Sequence, residues 1–317
     1  MKILITGVHG FVGSNLVKAL SGNHIIYGLD IVSSVKEGLK QTFSWDYLER
    51  PEEIPEVDAI IHLTGKAHDV KSDGRGQREE YMRINCGLTQ KIYNYYLQSK
   101  AQKFIFFSSV KAAADRVVGE FIDETVIPSP KGPYGESKMA AEEYIRKMED
   151  VRKNNHQETY ILRPCMIHGP GNKGNLNLLY HVVKKGIPWP LGAFENKITF
   201  TSIDNLCYII DGLLTKDVQS GIYNINDDEA VSTNELIEII CQATGKKAHI
   251  WRIPKGLMEG VAKIGGLLRL PLNPERFQKL TKDYVSTNAK IKKALGIDQL
   301  PVRAKDGIMM TIRSFGV

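Results

Sequence analysis

Three glycines near the amino end restrict the fold most: Gly7, Gly10 and Gly13 in Ile5-Thr6-Gly7-Val8-His9-Gly10-Phe11-Val12-Gly13. An apolar run, Ile3-Leu4-Ile5, precedes them, and an amphipathic segment, Phe11 to Leu20, follows. Strand, tight turn and helix in that order give glycines at this spacing their meaning. Each has a physical reason: a turn with unusual dihedrals, a close backbone approach to a pyrophosphate, and tight packing of helix on strand. The helix start offers unpaired N–H groups and a partial positive charge to a diphosphate. On this reading Gly7, His9, Gly10, Phe11, Val12 and Gly13 line a dinucleotide.

The first half of the chain keeps the same alternation. Segments 25–30, 59–63, 104–107 and 160–162 read as strands. Segments 81–98 and 134–148 read as helices, the first with Tyr81, Ile84, Leu88, Ile92 and Tyr95 at helical spacing. This predicts an α/β fold: a Rossmann-type doubly wound parallel sheet, helices on both faces, ligands at the carboxyl ends of the strands. Past residue 165 the texture changes. Loops at 169–174 and 186–192 are followed by helical patterns at 233–244 and 288–295. We therefore expect a dinucleotide-binding domain over 1–165 and a smaller mixed α/β substrate domain over 166–317, partly interleaved with the first.

Composition removes several function classes. The net charge of +6 is spread out, and clusters such as Lys246-Lys247 and Lys290 with Lys292-Lys293 are short. They read as solvated faces, so no nucleic-acid partner is expected. Cys86, Cys165, Cys207 and Cys241 are scattered, without metal-ligand spacing. They read as buried free thiols of a reducing compartment; no metal is expected, and the location is cytoplasmic. A first strand beginning at Lys2 leaves no visible signal peptide. Gly256 to Leu270 is apolar but interrupted by charges and too short to span a bilayer. It reads as a core or interface helix, with a membrane-surface helix as the alternative.

Asp30 ends the second strand at the distance where a carboxylate can accept hydrogen bonds from an adenosine ribose and repel a 2′-phosphate. Ile31, Val32, Ser33 and Ser34 follow it with no arginine, which favours NAD over NADP. A turn aspartate is the plainer alternative. Asp58 reads as a turn residue, with an adenine contact as the alternative. Leu63-Thr64-Gly65 places a small residue where backbone approaches the cofactor, so these three are cofactor candidates.

Tyr134 and Lys138 lie four residues apart, on one face of a helix. An ammonium beside a phenol favours the phenolate, and such a tyrosine exchanges protons near neutral pH. The preceding strand ends in Ser108-Ser109, where a serine can hydrogen-bond the same reacting oxygen. A surface Tyr–Lys pair is the bland reading of that spacing alone.

With these residues in hand, the chain resembles the extended short-chain dehydrogenase/reductases, the NAD-dependent epimerase/dehydratase family of nucleotide-sugar epimerases, dehydratases and reductases. The resemblance covers nearly the whole length. It rests on Gly7-x-x-Gly10-x-x-Gly13, Asp30, Asn85-x-Gly87-x-Thr89, Ser108-Ser109, Tyr134-x-x-x-Lys138, and Arg163-Pro164 followed by Gly169-Pro170. It implies that Ser109, Tyr134 and Lys138 do the chemistry. It also implies that Lys138 bonds the nicotinamide ribose, that Asn85 sits near the site in a mainly structural role, and that Ser108 and Pro164 border the cofactor.

Within the family, Phe107 to Lys111 and the run from Asn175 to Gly192 look most like reductases that make UDP-N-acetylquinovosamine. By that likeness Asn175 and Leu176 meet the diphosphate, Trp189 to Leu191 the uracil, Lys111 the substrate, and Arg276 a phosphate. Two positions depart from the pattern. Ile198, with Lys197 beside it, stands where the family carries an arginine, so Lys197 becomes the phosphate candidate. His168 replaces a tyrosine; packing is the first reading and a hydrogen-bonding role the alternative. The family also implies a homodimer through a four-helix bundle formed by the helical segments 81–98 and 134–148.

The implied reaction is hydride transfer at C4 of a UDP-linked hexose. The first reading is reduction of a UDP-4-keto-6-deoxy-N-acetylhexosamine. A UDP-hexose or UDP-N-acetylhexosamine 4-epimerase is the alternative. Val110, Lys111 and Ala112 follow the serine where dehydratases place an acidic pair, which disfavours 4,6-dehydration; Asp123 and Glu124 read as a turn. A non-catalytic NAD-sensing protein is the reading from another class, but such proteins usually lose the tyrosine or the lysine.

Overall fold

A computed structural model describes residues 1–34, 36–67, 76–117, 119–151, 156–172, 174–268 and 272–315. Seven strands form a wholly parallel sheet: β1 (Lys2–Thr6), β2 (Ile25–Leu29), β3 (Gln41–Phe43), β4 (Ala59–His62), β5 (Lys103–Phe107), β6 (Glu158–Pro164) and β9 (Gly221–Ile225). Their order is β3-β2-β1-β4-β5-β6-β9, and β7 (Met166–His168) and β8 (Phe200–Ser202) make a separate parallel pair. This is the doubly wound α/β arrangement that the alternating pattern predicts. The order reverses between β1 and β4, so the ligand crevice opens at the carboxyl ends of those two strands.

Burial on both faces explains the unbroken apolar runs. Ile3, Ile5, Ile61 and Ile105 point to one face and meet the helices Phe11–Leu20 and Ile203–Thr215 through Leu16, Val17, Leu206, Ile209 and Leu213. Leu4, Ile60, Phe104 and Phe106 point to the other and meet Ile92, Tyr93, Tyr96, Ala141 and Ile145. Those residues belong to the helix Leu88–Gln98 and the helix Gly132–Val151. A second core gathers Leu176, Tyr180, Leu191, Phe200, Leu236, Ile240, Met258 and Ile308.

Chain past residue 166 returns to the sheet: β9 pairs with β6, and Ile291 and Leu295 of the helix Ala289–Leu295 join the first core. The apolar segment 256–270 begins as a helix, Lys255–Leu267, with Met258, Ala262 and Gly265 buried and Leu257, Val261 and Ile264 exposed. Arg269 and Leu270 lie outside the described residues, as does Lys173 of the 169–174 loop. Among the described residues no helix is long and apolar enough to cross a membrane.

Candidate active site

The glycine turn leaves no room for side chains. Gly7 has φ +73°, and a Cβ on Gly13 would sit 2.2 Å from the Gly7 carbonyl oxygen and 2.7 Å from Val8 Cα. Helix Phe11–Leu20 starts from Gly10 in extended conformation with no side-chain cap, so its first N–H groups face the crevice as an anion bed. Two buried polar atoms beside this turn, His9 Nε2 and Thr64 Oγ1, have no protein partner. A cradle that excludes side chains, an uncapped helix start and orphaned polar atoms fit a dinucleotide.

Asp30 follows β2 and accepts the His9 N–H at 3.0 Å and the Ile31 N–H at 2.7 Å. A carboxylate offers about four acceptor sites, so two remain for ribose hydroxyls. Sequence reading missed Lys36, whose ammonium reaches back to the Val8 carbonyl at 2.5 Å and the Ser14 hydroxyl at 2.8 Å. Burial pulls its pKa down while Asp30 pulls it up. A cation therefore stands by Asp30, although none follows it directly in sequence. Asp58 accepts the Lys2 N–H at 2.6 Å, at the amino edge of the sheet and away from the crevice.

A buried hydrogen-bond chain runs from β1 to the catalytic helix, and its donors can be assigned by elimination. Thr89 Oγ1 donates to the Asn85 carbonyl at 2.6 Å, so it accepts from His62 Nε2 at 3.0 Å. His62 Nδ1 is then the acceptor for Thr6 Oγ1 at 2.8 Å, and Thr6 Oγ1 in turn accepts the Leu63 and Thr64 N–H groups, each at 3.1 Å. Burial, aided by the Lys138 ammonium, holds the His62 pKa well below the ordinary histidine value. The cofactor loop 63–65 is thus fastened by a neutral imidazole.

Asn85 lies on a π-helical turn, Met82–Gly87, of the kind that recurs at functional sites. Its amide takes the Lys66 N–H at 2.7 Å and donates to the Lys66 carbonyl at 3.0 Å and to Ser137 Oγ at 2.9 Å. Ser137 donates to the Tyr134 carbonyl at 2.8 Å. A Cβ on Gly65 would lie 2.9 Å from Lys138 Nζ, so that loop touches the lysine directly.

Tyr134 and Lys138 share one face of the helix Gly132–Val151. Lys138 is buried and donates to the Phe107 carbonyl at 2.7 Å. Burial brings its pKa down to about 8, and the Glu142 carboxylate opposes that fall. The structure corrects one expectation here. The Tyr134 phenol is not lowered: burial raises it, a hydrogen bond from Ser109 opposes the rise, and Tyr81 adds to it. Desolvation is the largest influence on the phenol, and the lysine ammonium donates to the Phe107 carbonyl.

Ser109 is extended (φ −161°, ψ 150°) and caps the helix Val110–Ala113 by accepting the Lys111 N–H at 3.2 Å. A Cβ on Gly135 would fall 2.6 Å from the Lys111 carbonyl oxygen, so a glycine lets the catalytic helix close on the serine segment. Ser108 is different: its hydroxyl donates to Glu142, which is also paired with Arg163 through Nε at 3.0 Å and Nη2 at 2.6 Å. Pro164 ends β6 beside Ile225 of β9. The Lys111 ammonium is held by Asp115 at 3.0 Å and lies over the Tyr284 ring. Asp123 caps Thr125, and Glu124 accepts the Asn224 N–H at 2.7 Å, so neither joins Ser109 as an elimination pair.

The substrate candidates form a second group. Asn175 opens the helix Asn175–Lys184, and Leu176 is packed in the second core. Trp189 donates its N–H to the His249 carbonyl at 2.8 Å and its indole to Asn234 at 3.2 Å, and Leu191 is buried. Lys197 is exposed, its N–H on Asp283 at 2.8 Å, and Ile198 bridges Val231 and Tyr284. Arg276 is exposed on the helix Pro274–Thr281. His168 does more than pack: it is buried and bonded to Thr311 at 2.9 Å and Asp227 at 3.4 Å. Sequence reading quoted Arg163 as part of a motif but missed its buried pairing with Glu142, the glutamate one turn beyond Lys138.

A dinucleotide crevice beside a tyrosine, a lysine and a serine at the end of β5 defines an NAD-dependent enzyme acting on sugar nucleotides. The chain belongs to the NAD dependent epimerase/dehydratase family, whose model matches residues 3–226. It is similar to a UDP-glucose 4-epimerase of Vibrio cholerae, 28% identical over 269 residues, covering 80% of this chain and 78% of the relative. Its fold is that of a UDP-N-acetylglucosamine 4-epimerase from Bacillus cereus: TM-score 0.77, 20% identity, 99% of both chains covered. A UDP-glucuronic acid 4-epimerase from Bacillus cereus, solved in complex with NAD, superposes with TM-score 0.74 at 21% identity, over 100% of this chain and 99% of that one. The cofactor of this enzyme is NAD.

Proposed function

We propose that the chain moves hydride at C4 of a UDP-linked hexose, and that Ser109, Tyr134 and Lys138 are its catalytic residues. The observation that carries this is the placement of Tyr134 and the buried Lys138 one turn apart on the helix Gly132–Val151, with the Lys138 ammonium on the Phe107 carbonyl at 2.7 Å, two residues before Ser109. NAD, when bound, supplies or takes the hydride. Tyr134 gives the C4 oxygen its proton, or removes it in the oxidative direction, and Ser109 holds that oxygen by a hydrogen bond. Lys138, with two ammonium protons not engaged by Phe107, holds the ribose hydroxyls and keeps positive charge beside the phenol. Gly7, His9, Gly10, Phe11, Val12, Gly13, Asp30, Leu63, Thr64, Gly65, Asn85, Ser108 and Pro164 line or support the cofactor. Lys111, Asn175, Leu176, Trp189, Leu191, Lys197 and Arg276 serve the UDP-sugar.

Two reactions use this geometry. The serine segment, with Val110 and Lys111 after Ser109, favours reduction of a UDP-4-keto-6-deoxy-N-acetylhexosamine. The Vibrio cholerae relative favours 4-epimerisation, in which the keto intermediate turns over before hydride returns. Incubating the purified protein with UDP-N-acetylglucosamine and no added cofactor separates them. Formation of UDP-N-acetylgalactosamine establishes the epimerase. Oxidation of added NADH by the 4-keto-6-deoxy sugar nucleotide, with no epimer formed, establishes the reductase. The working unit is a cytoplasmic homodimer, its cofactor half in residues 1–165 and its substrate half in 166–317.

A further inference from the structure

We propose that Glu142, held in place by Arg163, is the buried counter-charge that keeps Lys138 protonated, and is therefore a positioning residue of the site. The proposal rests on the catalytic reading of Lys138 given above.

The geometry is specific. Glu142 is one turn along the helix from Lys138 and has no exposed surface; Arg163 is 1% exposed and Lys138 4%. Glu142 takes two hydrogen bonds from Arg163, at 3.0 and 2.6 Å, and one from Ser108, the residue before the catalytic serine. A charge so deep needs partners, and an isolated buried lysine tends to lose its proton. The groups around Lys138 show what opposes that loss. From its own helix come Tyr134, which is neutral below a raised pKa, and Glu142. From β4 comes His62, which is neutral; β5 gives the Phe107 carbonyl and the Phe106 ring, 5.2 Å from the ammonium, and Ser108 follows the strand with its hydroxyl on Glu142. From β6 comes Arg163, whose guanidinium is paired with Glu142. Glu142 is thus the one anion in this set. Its loss would leave two buried cations, Lys138 and Arg163, without this anion.

Lys138 follows a definite sign. Its charged form is needed, so function is complete below its pKa and fades as pH rises through it. Removing the anion moves that fading to lower pH. NAD affinity reports this without turnover, because it begins to fall once the free protein's Lys138 loses its proton. The experiment measures the NAD dissociation constant against pH for the wild-type chain, Glu142→Gln, Glu142→Asp and Lys138→Met. The wild-type affinity should begin to fall near pH 8, in line with the lysine's pKa of about 8. In Glu142→Gln the onset should move about one pH unit or more toward acid, so that binding at pH 8 is about fivefold or more weaker than wild type. In Glu142→Asp, which keeps the charge but withdraws it, the onset should fall between the two. If the glutamine variant does not fold, the aspartate variant must still titrate below wild type.

A purely structural Glu142 would weaken binding equally at all pH and leave the onset unmoved, which overturns the proposal. Lys138→Met should lack the step. If it keeps the step, Lys138 is not the titrating group, and the catalytic reading fails with the inference. If the step is lost in Lys138→Met yet unmoved in the Glu142 variants, the counter-charge proposal alone fails.

Discussion

Gly13 shows how one missing atom sets a function. Its absent Cβ would collide with the Gly7 carbonyl at 2.2 Å and with Val8 Cα at 2.7 Å, both backbone atoms that cannot swing aside. Gly13→Ala must push the helix Phe11–Leu20 off β1. We expect a loss of about 1–3 kcal/mol in stability and at least a tenfold loss of NAD affinity, read by thermal melting and titration calorimetry. Unchanged NAD affinity would contradict the placement of the diphosphate on this turn. The glycine turn and the Tyr134–Lys138 pair are legible in sequence because their geometry is local: a fixed spacing on one turn or one helix. The contacts of Lys36 and His62, and the partner of Arg163, are not, because each is made between segments far apart in sequence. Arg163 meets Glu142 only after β6 and the catalytic helix have packed.

At the scale of elements, the helices Leu88–Gln98 and Gly132–Val151 each bury one face on the sheet. Tyr95, Ala140, Tyr144 and Met148 stay only partly buried, and Tyr144 donates to Asn94 at 2.6 Å on the outer side. A second copy of the same two helices can cover that side, completing a four-helix bundle. Sedimentation should then give twice the 35.5 kDa chain mass, and Tyr144→Arg should return the protein to a monomer. A wild-type monomer at micromolar concentration would remove the bundle. Long, periodic elements such as these helices are readable from apolar spacing. The three-residue β3, β7 and β8 are not, since too few residues repeat to show a period. β9, five residues long, finds its place only by pairing with β6.

Across the whole molecule, the sheet reversal between β1 and β4 sets the crevice, and β5 and the helix Gly132–Val151 carry Ser109, Tyr134 and Lys138, the proposed catalytic residues. Burial drives the electrostatics: the same desolvation raises Tyr134 and lowers Lys138. Sequence spacing foretold the pair but not the direction of the phenol's shift, because desolvation depends on everything packed around it. The proposed substrate side rests on family resemblance. Its residues Leu176, Trp189 and Leu191 are built into the second core, and no local pattern marks them as a nucleotide site.

The most direct test is to compare wild type and Tyr134→Phe for turnover of a UDP-hexose substrate and for NAD affinity in the same preparation. The account predicts turnover lower by roughly 10²–10⁴ with NAD affinity within a few fold of wild type. Turnover equal to wild type in the phenylalanine variant would contradict it.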